Sequence, residues 1–322
     1  MTQATPPPLP VIGRLAPSPT GLLHLGHART FLLAYWQVRS RAGQLLMRLE
    51  DLDGPRAEQR FADAALSDLE WLGLDWDGAP LLQSTELERL NHAVTALIEA
   101  GKAYPCVCSR GDVRNAQSAP HADSSEPRYP GTCRGLYTSF AEAEQKSGRP
   151  AGARLIVPRG EVAIVDQIAG LSHWDVAEDV GDFLIAKRDK APAYQLAVVV
   201  DDAAQGVTEV LRGDDLLPSA ARQWHVQHAL GLPHPSYYHV PLVTDENGRR
   251  LAKREADLSL AELRAAGSDP RAIVAWVAQS AGLDVAPRVT PAQVTPHFEL
   301  ARLPREPLRL DAATLRALKS AR

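Results

Sequence analysis

The sequence predicts an α/β protein built on a doubly wound parallel sheet. Three observations support this prediction. Segments with the periodicity of strands and helices alternate over the first hundred residues. The second strand-like segment is mostly apolar, as expected for a parallel strand that is buried on both faces. With 322 residues, the chain is long enough to enclose a large core.

The predicted elements of the first half follow from the apolar pattern and from chain breakers. Residues 11–16 (VIGRLA) form the first strand, which PSPTG cannot continue because proline lacks the amide that a sheet requires. A helix then runs from Leu25 to Arg41, with Gly43 just past its end. The next elements are a buried strand over 45–50 (LLMRLE) and helices over 56–72 and 86–100.

The alternation of strands and helices is interrupted between residues 104 and 180. This stretch holds all three cysteines and a polar, proline-rich loop, so we interpret it as an insertion. The α/β pattern resumes with AYQLAVVVDD and VTEVLRGDD, and a helix follows near 216–230. Two short strands joined at Asn247 and Gly248 come next, and the chain is helical from 258.

The predicted domain plan is therefore one α/β domain with one insertion. It consists of a disordered lead over 1–10, the first half of a Rossmann-like domain over 11–103, the insertion over 104–180, the second half over 181–257, and a short helical C-terminal region over 258–322. No internal repeat is found in the chain.

Composition and charge exclude several classes of protein. No apolar run has membrane-spanning length, and the start of the chain has neither the basic nor the apolar region of a secretory signal. Three cysteines argue against a disulfide framework and for a cytoplasmic protein. Because the net charge is −4, a nucleic-acid partner would have to be held by a local basic patch. Residues 301–322, which carry a net charge of +4, are such a patch.

The first strand leads into PSPTGLLHLGH, at the position where doubly wound folds bind their ligands. Gly21 and Gly26 allow the backbone to approach a ligand closely, and amides at a helix start favour an anion. His24 and His27 are three residues apart, so they share one side of the helix start. Two imidazoles so placed are suited to donating hydrogen bonds to a triphosphate. Metal binding by this pair is not indicated, because no third ligand is near in sequence.

Four motifs, in order, resemble those of class I aminoacyl-tRNA synthetases. APSPTGLLHLGH resembles the HIGH signature of that family, and the flanking RLAPSPTG and RLEDLD are similar to its glutamyl branch. RGDDLL and the late RRLAKRE, which resembles the KMSKS loop, follow in the family order. These matches run from Arg14 to about Glu255. The resemblance implies the Rossmann-like catalytic domain of these enzymes and ATP-dependent activation of glutamate.

The same resemblance implies which residues bind ATP together with Mg²⁺. The implied set consists of His24, Gly26, His27 and Lys253, of which the two histidines and the lysine are catalytic. Lys253 matches the second lysine of the KMSKS pattern and would stabilise the departing pyrophosphate. Three positions of the loop depart from the pattern, with positive charge kept and two hydroxyls lost: Arg250, Ala252 and Arg254.

A glutamate pocket is also implied by the resemblance. Glutamate needs a cation for each carboxylate and an acceptor for its ammonium group. The implied pocket comprises Arg14, Leu15, Ala16, Pro17, Ser18, Glu50, Tyr194 and Arg212. Arg14 is suited to a carboxylate and Glu50 to the ammonium group. Arg212 could instead form an ion pair with Asp214 or Asp215.

The three cysteines resemble a zinc site found in a short subfamily of the glutamyl branch. CVC places Cys106 and Cys108 close together, and Cys133 returns in YPGTC after a loop. Three thiolates make most of a tetrahedral zinc site, which needs a fourth ligand. The subfamily uses the tyrosine, here Tyr129, whereas His121 is the more ordinary zinc ligand. One structural Zn²⁺ per chain is therefore expected.

The length of the chain points to the same short subfamily. Only 67 residues follow Glu255, too few for the long helical anticodon-binding region of the full-length glutamyl enzymes. Members of the subfamily attach glutamate to the queuosine base in the anticodon of tRNA(Asp), and the resemblance implies this activity in a monomer without a membrane partner. Two alternatives stay open: a truncated enzyme that charges tRNA(Glu), and a non-catalytic regulator that binds ATP or tRNA.

Overall fold

The computed structural model describes residues 10–116, 127–249, 251 and 259–321. Its strands are β1 (Ile12–Leu15), β2 (Gln44–Leu49), β3 (Leu81–Leu82), β4 (Ala103–Cys106), β5 (Gly152–Leu155), β6 (Val162–Asp166), β7 (Gly170–Trp174), β8 (Leu184–Ala186), β9 (Glu209–Gly213), β10 (Ser236–Val240), β11 (Val243–Thr244) and β12 (Leu308–Arg309). Its α-helices are α1 (Leu25–Arg39), α2 (Gln59–Trp71), α3 (Leu87–Glu99), α4 (Arg110–Asn115), α5 (Phe140–Ser147), α6 (Val176–Asp179), α7 (Tyr194–Ala204), α8 (Leu217–Leu230), α9 (Leu260–Ala265), α10 (Pro270–Ser280), α11 (Pro291–Val294) and α12 (Ala312–Ser320).

Parallel strands form the centre of the molecule, as predicted. β1, β2 and β3 make one parallel array. β9, β10 and β6 make a second parallel array, and β7 adds an antiparallel edge to β6. The arrays meet between β1 and Thr208, whose amide donates to the Ile12 carbonyl at 2.9 Å and whose hydroxyl accepts the Ile12 amide at 2.9 Å. The strands therefore follow the order β3-β2-β1-β9-β10-β6-β7 across the molecule.

Helices cover both faces of this sheet, which confirms the doubly wound arrangement. On one face, α1, α2, α9 and α10 enclose a core that includes Trp36. On the other face, α3, α7 and α8 enclose a core that includes Leu196. Neighbouring residues of β2 alternate between the two, since Leu45 belongs to the first core and Leu46 packs against the second. A strand with both faces covered is mostly apolar, which explains the pattern of LLMRLE apart from Arg48.

The end of α1 differs from the predicted end, and the reason lies in the neighbouring strand. The helix stops at Arg39, and the left-handed residue that follows is Ala42, with a φ of 53°. A Cβ at Gly43 would lie 2.7 Å from the carbonyl oxygen of Val11. Gly43 is therefore required by the close approach of two chain segments at the start of β1, and not by helix termination.

The second half of the chain departs from the prediction at one turn and at one short strand. AYQLAVVVDD forms α7, VTEVLRGDD leads into β9, and α8 matches the helix predicted near 216–230. β10 and β11 both precede the turn at Asn247 and Gly248, so within the described residues this turn does not join two strands. β11 instead pairs in parallel with β12, whose residues were predicted to lie in a helical region.

The stretch over 104–180 contributes to two sheets. β4, β5 and β8 form a separate antiparallel sheet. β6, from the same stretch, pairs with β10 in the main sheet. The C-terminal region is mainly helical, with α9, α10 and α12 as its main helices. Across the described ranges, no helix combines the length and hydrophobicity that crossing a bilayer requires.

Candidate active site

A cavity of about 600 Å³ opens at the carboxyl ends of β1, β2 and β9. It is lined by nearly all residues that the sequence predicts to bind ATP or glutamate: Arg14, Ala16, Pro17, Ser18, His24, Gly26, His27, Glu50, Tyr194 and Arg212. Leu15 is an exception, because its side chain is fully buried in the core. Parallel strands carry their carboxyl ends to one edge of the sheet, so residues far apart in sequence meet there.

α1 begins at this cavity, and the two predicted histidines hold its first turn. His24 is the N-cap residue, and its Nδ1 accepts the Gly26 amide at 3.1 Å. His27 Nδ1 accepts the His24 amide at 3.1 Å, which completes a reciprocal capping box. The centroids of the two rings lie 3.8 Å apart. A Cβ at Gly26 would lie 2.9 Å from His24 Cε1, so this arrangement requires a glycine between the histidines.

These contacts with the backbone decide which ring nitrogen carries the hydrogen. A nitrogen that accepts a hydrogen bond has no hydrogen of its own, so each neutral imidazole is protonated at Nε2. Each ring therefore acts as a hydrogen-bond donor on the side away from the backbone that it caps. A donor at that atom is what a phosphate oxygen requires.

A network of buried charges supports one wall of the cavity. Arg48, which is fully buried, donates to Asp202 at 2.7 Å and to Glu50 at 3.0 Å. Arg14 Nε lies 3.5 Å from the same Asp202 carboxylate. Burial opposes the charge of Arg48, but Asp202 and Glu50 raise its pKa above the usual value. Arg48 and Asp202 therefore hold Arg14 and Glu50 in place from behind.

Arg212, near the end of β9, is held by a histidine. Its Nε donates to His239 Nε2 at 2.9 Å, and His239 Nδ1 lies 2.6 Å from Asp166 Oδ2. Among the described side chains, this contact takes the place of the ion pair with Asp214 or Asp215 that the sequence left open. Burial lowers the pKa of His239 and so favours the neutral ring, which alone can accept from Arg212.

The segments that flank the late basic loop lie beside the first motif. Leu251 lines the cavity, and Ser259 pairs with His24 in an isolated antiparallel bridge. The Leu260 amide donates to the Leu23 carbonyl at 2.8 Å. The loop residues singled out in the sequence lie outside the described residues: Arg250, Ala252, Lys253 and Arg254.

A second cluster lies at the end of β4, where the three predicted cysteines converge. Their Sγ atoms lie within 4.8 Å of one another, with 3.5 Å between Cys108 and Cys133. Tyr129 joins them, because its Oη lies 3.4 Å from Cys106 Sγ and 3.7 Å from Cys108 Sγ. The other candidate ligand, His121, falls outside the described residues.

Three of the separations within this group, 3.4, 3.7 and 3.5 Å, are close to those of ligands around one metal ion. With metal–sulfur bonds of about 2.3 Å, a tetrahedral site separates neighbouring donors by roughly 3.5–3.8 Å. Burial and the neighbouring Cys106 raise the pKa of Cys108 to about 12, so a cation would be needed to favour the thiolate. The cluster could therefore hold a metal ion.

Arg154 and Gly181 hold this cluster together, and neither belongs to the motifs that predict the site. Arg154 Nε lies 3.3 Å from Cys106 Sγ, and its guanidinium carbon is 3.7 Å from the centre of the Tyr129 ring. A Cβ at Gly181 would lie 2.3 Å from the Tyr129 carbonyl oxygen, so only glycine permits this approach. An arginine within an otherwise apolar strand, GARL, is the signal that could have indicated a buried partner.

Comparisons with known proteins were consistent with this site. Residues 10–287 match the catalytic-domain family of class I tRNA synthetases (E and Q). The chain is 44% identical over 316 residues to a glutamyl-Q tRNA(Asp) synthetase of Symbiobacterium thermophilum, a match that covers 95% of this chain and 98% of that protein. It is 45% identical over 309 residues to a protein of the same name from Nocardia farcinica, with 95% of each covered.

A solved structure shares the fold. A glutamate tRNA ligase from Elizabethkingia meningosepticum superimposes with a TM-score of 0.82 at 23% identity. The match covers 96% of this chain and 68% of that one. At this level of identity the likeness establishes the fold alone.

Proposed function

Because this chain belongs to the class I tRNA synthetases for glutamate and glutamine, we propose that it activates L-glutamate with ATP and transfers it to queuosine in tRNA(Asp). One observation carries the proposal: a single cavity brings the paired histidines of α1 together with Arg14, Glu50 and Arg212. Two proteins named glutamyl-Q tRNA(Asp) synthetase are 44% and 45% identical to this chain over 95% of its length, which supports queuosine in tRNA(Asp) as the acceptor. The protein is then an ATP-dependent ligase.

In the first step, an oxygen of the glutamate α-carboxylate attacks the α-phosphorus of ATP. The bond from that phosphorus to the bridging oxygen breaks, which gives glutamyl-adenylate and pyrophosphate. His24 and His27 donate from Nε2 to the phosphate oxygens as negative charge grows on them. Gly26 lets the backbone approach the nucleotide. Mg²⁺ bound with ATP would neutralise phosphate charge, and Lys253 would add an ammonium group beside the pyrophosphate.

The remaining lining residues fit glutamate. Arg14 and Arg212 supply one cation for each carboxylate, and Glu50 accepts hydrogen bonds from the ammonium group. Two other side chains of the assigned pocket, Ser18 and Tyr194, add hydroxyl groups, and Ala16 and Pro17 add shape. Leu15 would contribute only through its backbone, because its side chain belongs to the core.

In the second step, a hydroxyl of the queuosine cyclopentenediol attacks the activated carbonyl carbon. An ester bond forms, the bond to the phosphate breaks, the hydroxyl loses its proton, and AMP leaves. The tRNA would be held through its phosphates by exposed basic side chains of the C-terminal segment. Those that the structure describes as exposed are Arg302, Arg305, Arg309 and Arg316.

Charging assays with labelled glutamate and purified tRNA(Asp) test this function. We expect transfer to tRNA(Asp) that contains queuosine and none to the same tRNA without it. Transfer to tRNA(Glu) instead would identify a truncated charging enzyme. If glutamate also failed to support ATP–pyrophosphate exchange, the protein would be a non-catalytic binding protein and the proposal would be wrong.

We also propose that the cysteine cluster holds one structural Zn²⁺. The ligands would be Cys106, Cys108, Cys133 and Tyr129, with His121 as the alternative fourth ligand. The spacing of the donor atoms supports this assignment. Three thiolates, one phenolate and Zn²⁺ would leave net negative charge, which the guanidinium of Arg154 offsets.

Protein purified without chelators should contain about one zinc per chain by elemental analysis, as a single tetrahedral site requires. The Cys106→Ser/Cys108→Ser variant should contain none, because two of the four ligands are lost. Tyr129→Phe should lower the zinc content if the phenol is a ligand, whereas His121→Ala should do so if the imidazole is. Tyr137→Phe is the matched control, because Tyr137 packs against the apolar core that contains Cys106, Tyr129 and Cys133 and is not an assigned ligand. Metal-free parent protein would contradict the assignment.

The predicted domain plan remains part of the proposal. β1 and β9, which flank the stretch over 104–180, both line the cavity, which supports grouping 11–103 with 181–257 as one catalytic domain. Residues 258–322 would form its helical C-terminal region. We further propose that the protein is a cytoplasmic monomer.

A further inference from the structure

Arg212 is held at the cavity wall by two residues without an assigned role. We infer that His239 and Asp166 are positioning residues, which fix the Arg212 guanidinium where it meets a carboxylate of the amino-acid substrate. The inference rests on the proposed function, because it assumes that Arg212 binds glutamate.

The three side chains form a continuous chain of hydrogen bonds. Arg212 Nε lies 2.9 Å from His239 Nε2, and His239 Nδ1 lies 2.6 Å from Asp166 Oδ2. All three residues are buried, with 5%, 1% and 3% of their surfaces exposed, respectively. They lie on the adjacent strands β9, β10 and β6, so the strand order of the sheet sets the order of the chain. The contact is therefore part of the fold and not of a surface loop.

The direction of each hydrogen bond follows from the chemistry of the groups. A guanidinium only donates, so His239 Nε2 must accept and the ring hydrogen must lie on Nδ1. The Asp166 carboxylate accepts that hydrogen. Asp166 is itself fixed, because its Oδ1 accepts the amides of Ile168 at 2.9 Å and Ala169 at 2.7 Å. The carboxylate thus selects the tautomer that Arg212 needs, in the way that carboxylates orient metal-binding histidines.

This arrangement orients Arg212 without neutralising it. Its nitrogens donate to an imidazole and, at 3.4 Å, to the Leu216 carbonyl oxygen, and neither partner is charged. The centre of the Tyr237 ring lies 5.2 Å from the guanidinium carbon. A carboxylate in direct contact would offset the charge of Arg212, whereas Asp166 is separated from it by the imidazole ring. The guanidinium is therefore constrained and still attracts a carboxylate.

The Asp166→Asn variant tests the inference while preserving the shape of the side chain. The amide oxygen can keep the hydrogen bonds from Ile168 and Ala169, which places the NH₂ group opposite His239 Nδ1. The ring hydrogen then moves to Nε2, and two donors face each other at His239 and Arg212. We expect the KM for glutamate in ATP–pyrophosphate exchange to rise about tenfold or more, equivalent to about 1.4 kcal/mol. The KM for ATP should not change.

Two further variants separate positioning from a general loss of stability. His239→Gln can still accept from Arg212 and donate to Asp166, so it should retain most of the affinity for glutamate. His225→Gln is the matched control, because His225 is a buried histidine on α8 that lies outside the cavity lining. It should leave both KM values unchanged. Thermal unfolding of each variant checks that the fold is intact.

Nuclear magnetic resonance of ¹⁵N-labelled histidine reports the tautomer directly. In the parent protein the hydrogen of His239 should be on Nδ1, and in Asp166→Asn it should be on Nε2. A parent ring protonated at Nε2 would overturn the inference even if Asp166→Asn failed to fold.

Arg212→Leu distinguishes the inference from the proposed function on which it rests. If Arg212→Leu raises the KM for glutamate but folded Asp166→Asn keeps the parent value, the positioning roles are wrong and the pocket assignment stands. If Arg212→Leu leaves this KM unchanged, the role of Arg212 in the proposed function is wrong, and the inference is wrong with it.

Discussion

Replacement of His24 by Asn and His27 by Gln should lower glutamate-dependent ATP–pyrophosphate exchange by about 10²-fold or more, with little loss of stability. Asn is among the best N-cap residues, and Gln at the third helical position can complete a capping box. The double variant therefore keeps the backbone contacts at the start of α1. It loses both Nε2–H donors, and one donor to developing negative charge contributes about 3 kcal/mol to catalysis.

The matched control for this prediction is the double alanine variant, His24→Ala/His27→Ala. It removes the donors and the helix cap together, so it should lose the same exchange activity and, in addition, about 1 kcal/mol or more of stability. Exchange rates and thermal midpoints of both double variants separate the two roles of the histidines. Parent-like exchange in the folded Asn/Gln variant would show that the rings only cap the helix.

Glu50→Gln should lower kcat/KM for glutamate by about 10- to 100-fold. The substitution keeps the size of the side chain but removes the negative charge that we assign to the substrate ammonium group. A hydrogen bond to a charged group contributes roughly 1.5–3 kcal/mol. Arg48 keeps its contact with Asp202 at 2.7 Å, so the network behind the cavity should persist.

Glu209→Gln is the control for this second prediction. Glu209 begins β9 and forms an ion pair with Arg41 away from the cavity lining. Partly exposed pairs of this kind contribute about 0–1 kcal/mol, so glutamate kinetics should stay at the parent value. The KM for ATP should be unchanged in both variants. An unchanged kcat/KM for glutamate in folded Glu50→Gln would contradict the assigned role of this carboxylate.

The residues that line the cavity are largely predictable from the sequence, because they lie in short continuous motifs at strand ends and helix starts. His24 and His27 are encoded by one such motif, and Glu50 directly follows an apolar strand. Cys106 and Cys108 are predictable for the same reason, whereas Cys133 lies 25 residues beyond Cys108 and was grouped with them through the family resemblance. The capping box is a different matter. No pattern indicates that both Nδ1 atoms bind the backbone, because that depends on the rotamers of the two rings.

The residues behind the cavity could not be predicted from motifs, because their partners are distant in sequence. Arg48 meets Asp202, which is 154 residues away, and His239 meets Asp166, which is 73 residues away. Arg48 does carry a signal, since a charge within a buried apolar strand must find a partner. The sequence does not say which aspartate that partner is. The requirement for Gly43 is also not predictable from the sequence, because a side chain is excluded there only by the close approach of the chain at the start of β1.

The junction between β1 and β9 has a consequence for synthesis of the chain. Ile12 and Thr208 are 196 residues apart, and ribosomes add about 5–20 residues per second. The edge of β1 therefore stays unpaired for about 10–40 s, until the segment that contains Thr208 and β9 has been synthesised. During that time the nascent chain can form α1 with its two histidines, but Arg14 still lacks the strand that carries Arg212. The first turn of α1 can thus form before Arg212 joins the site, and an unpaired strand edge must be shielded from aggregation until the second half of the chain arrives.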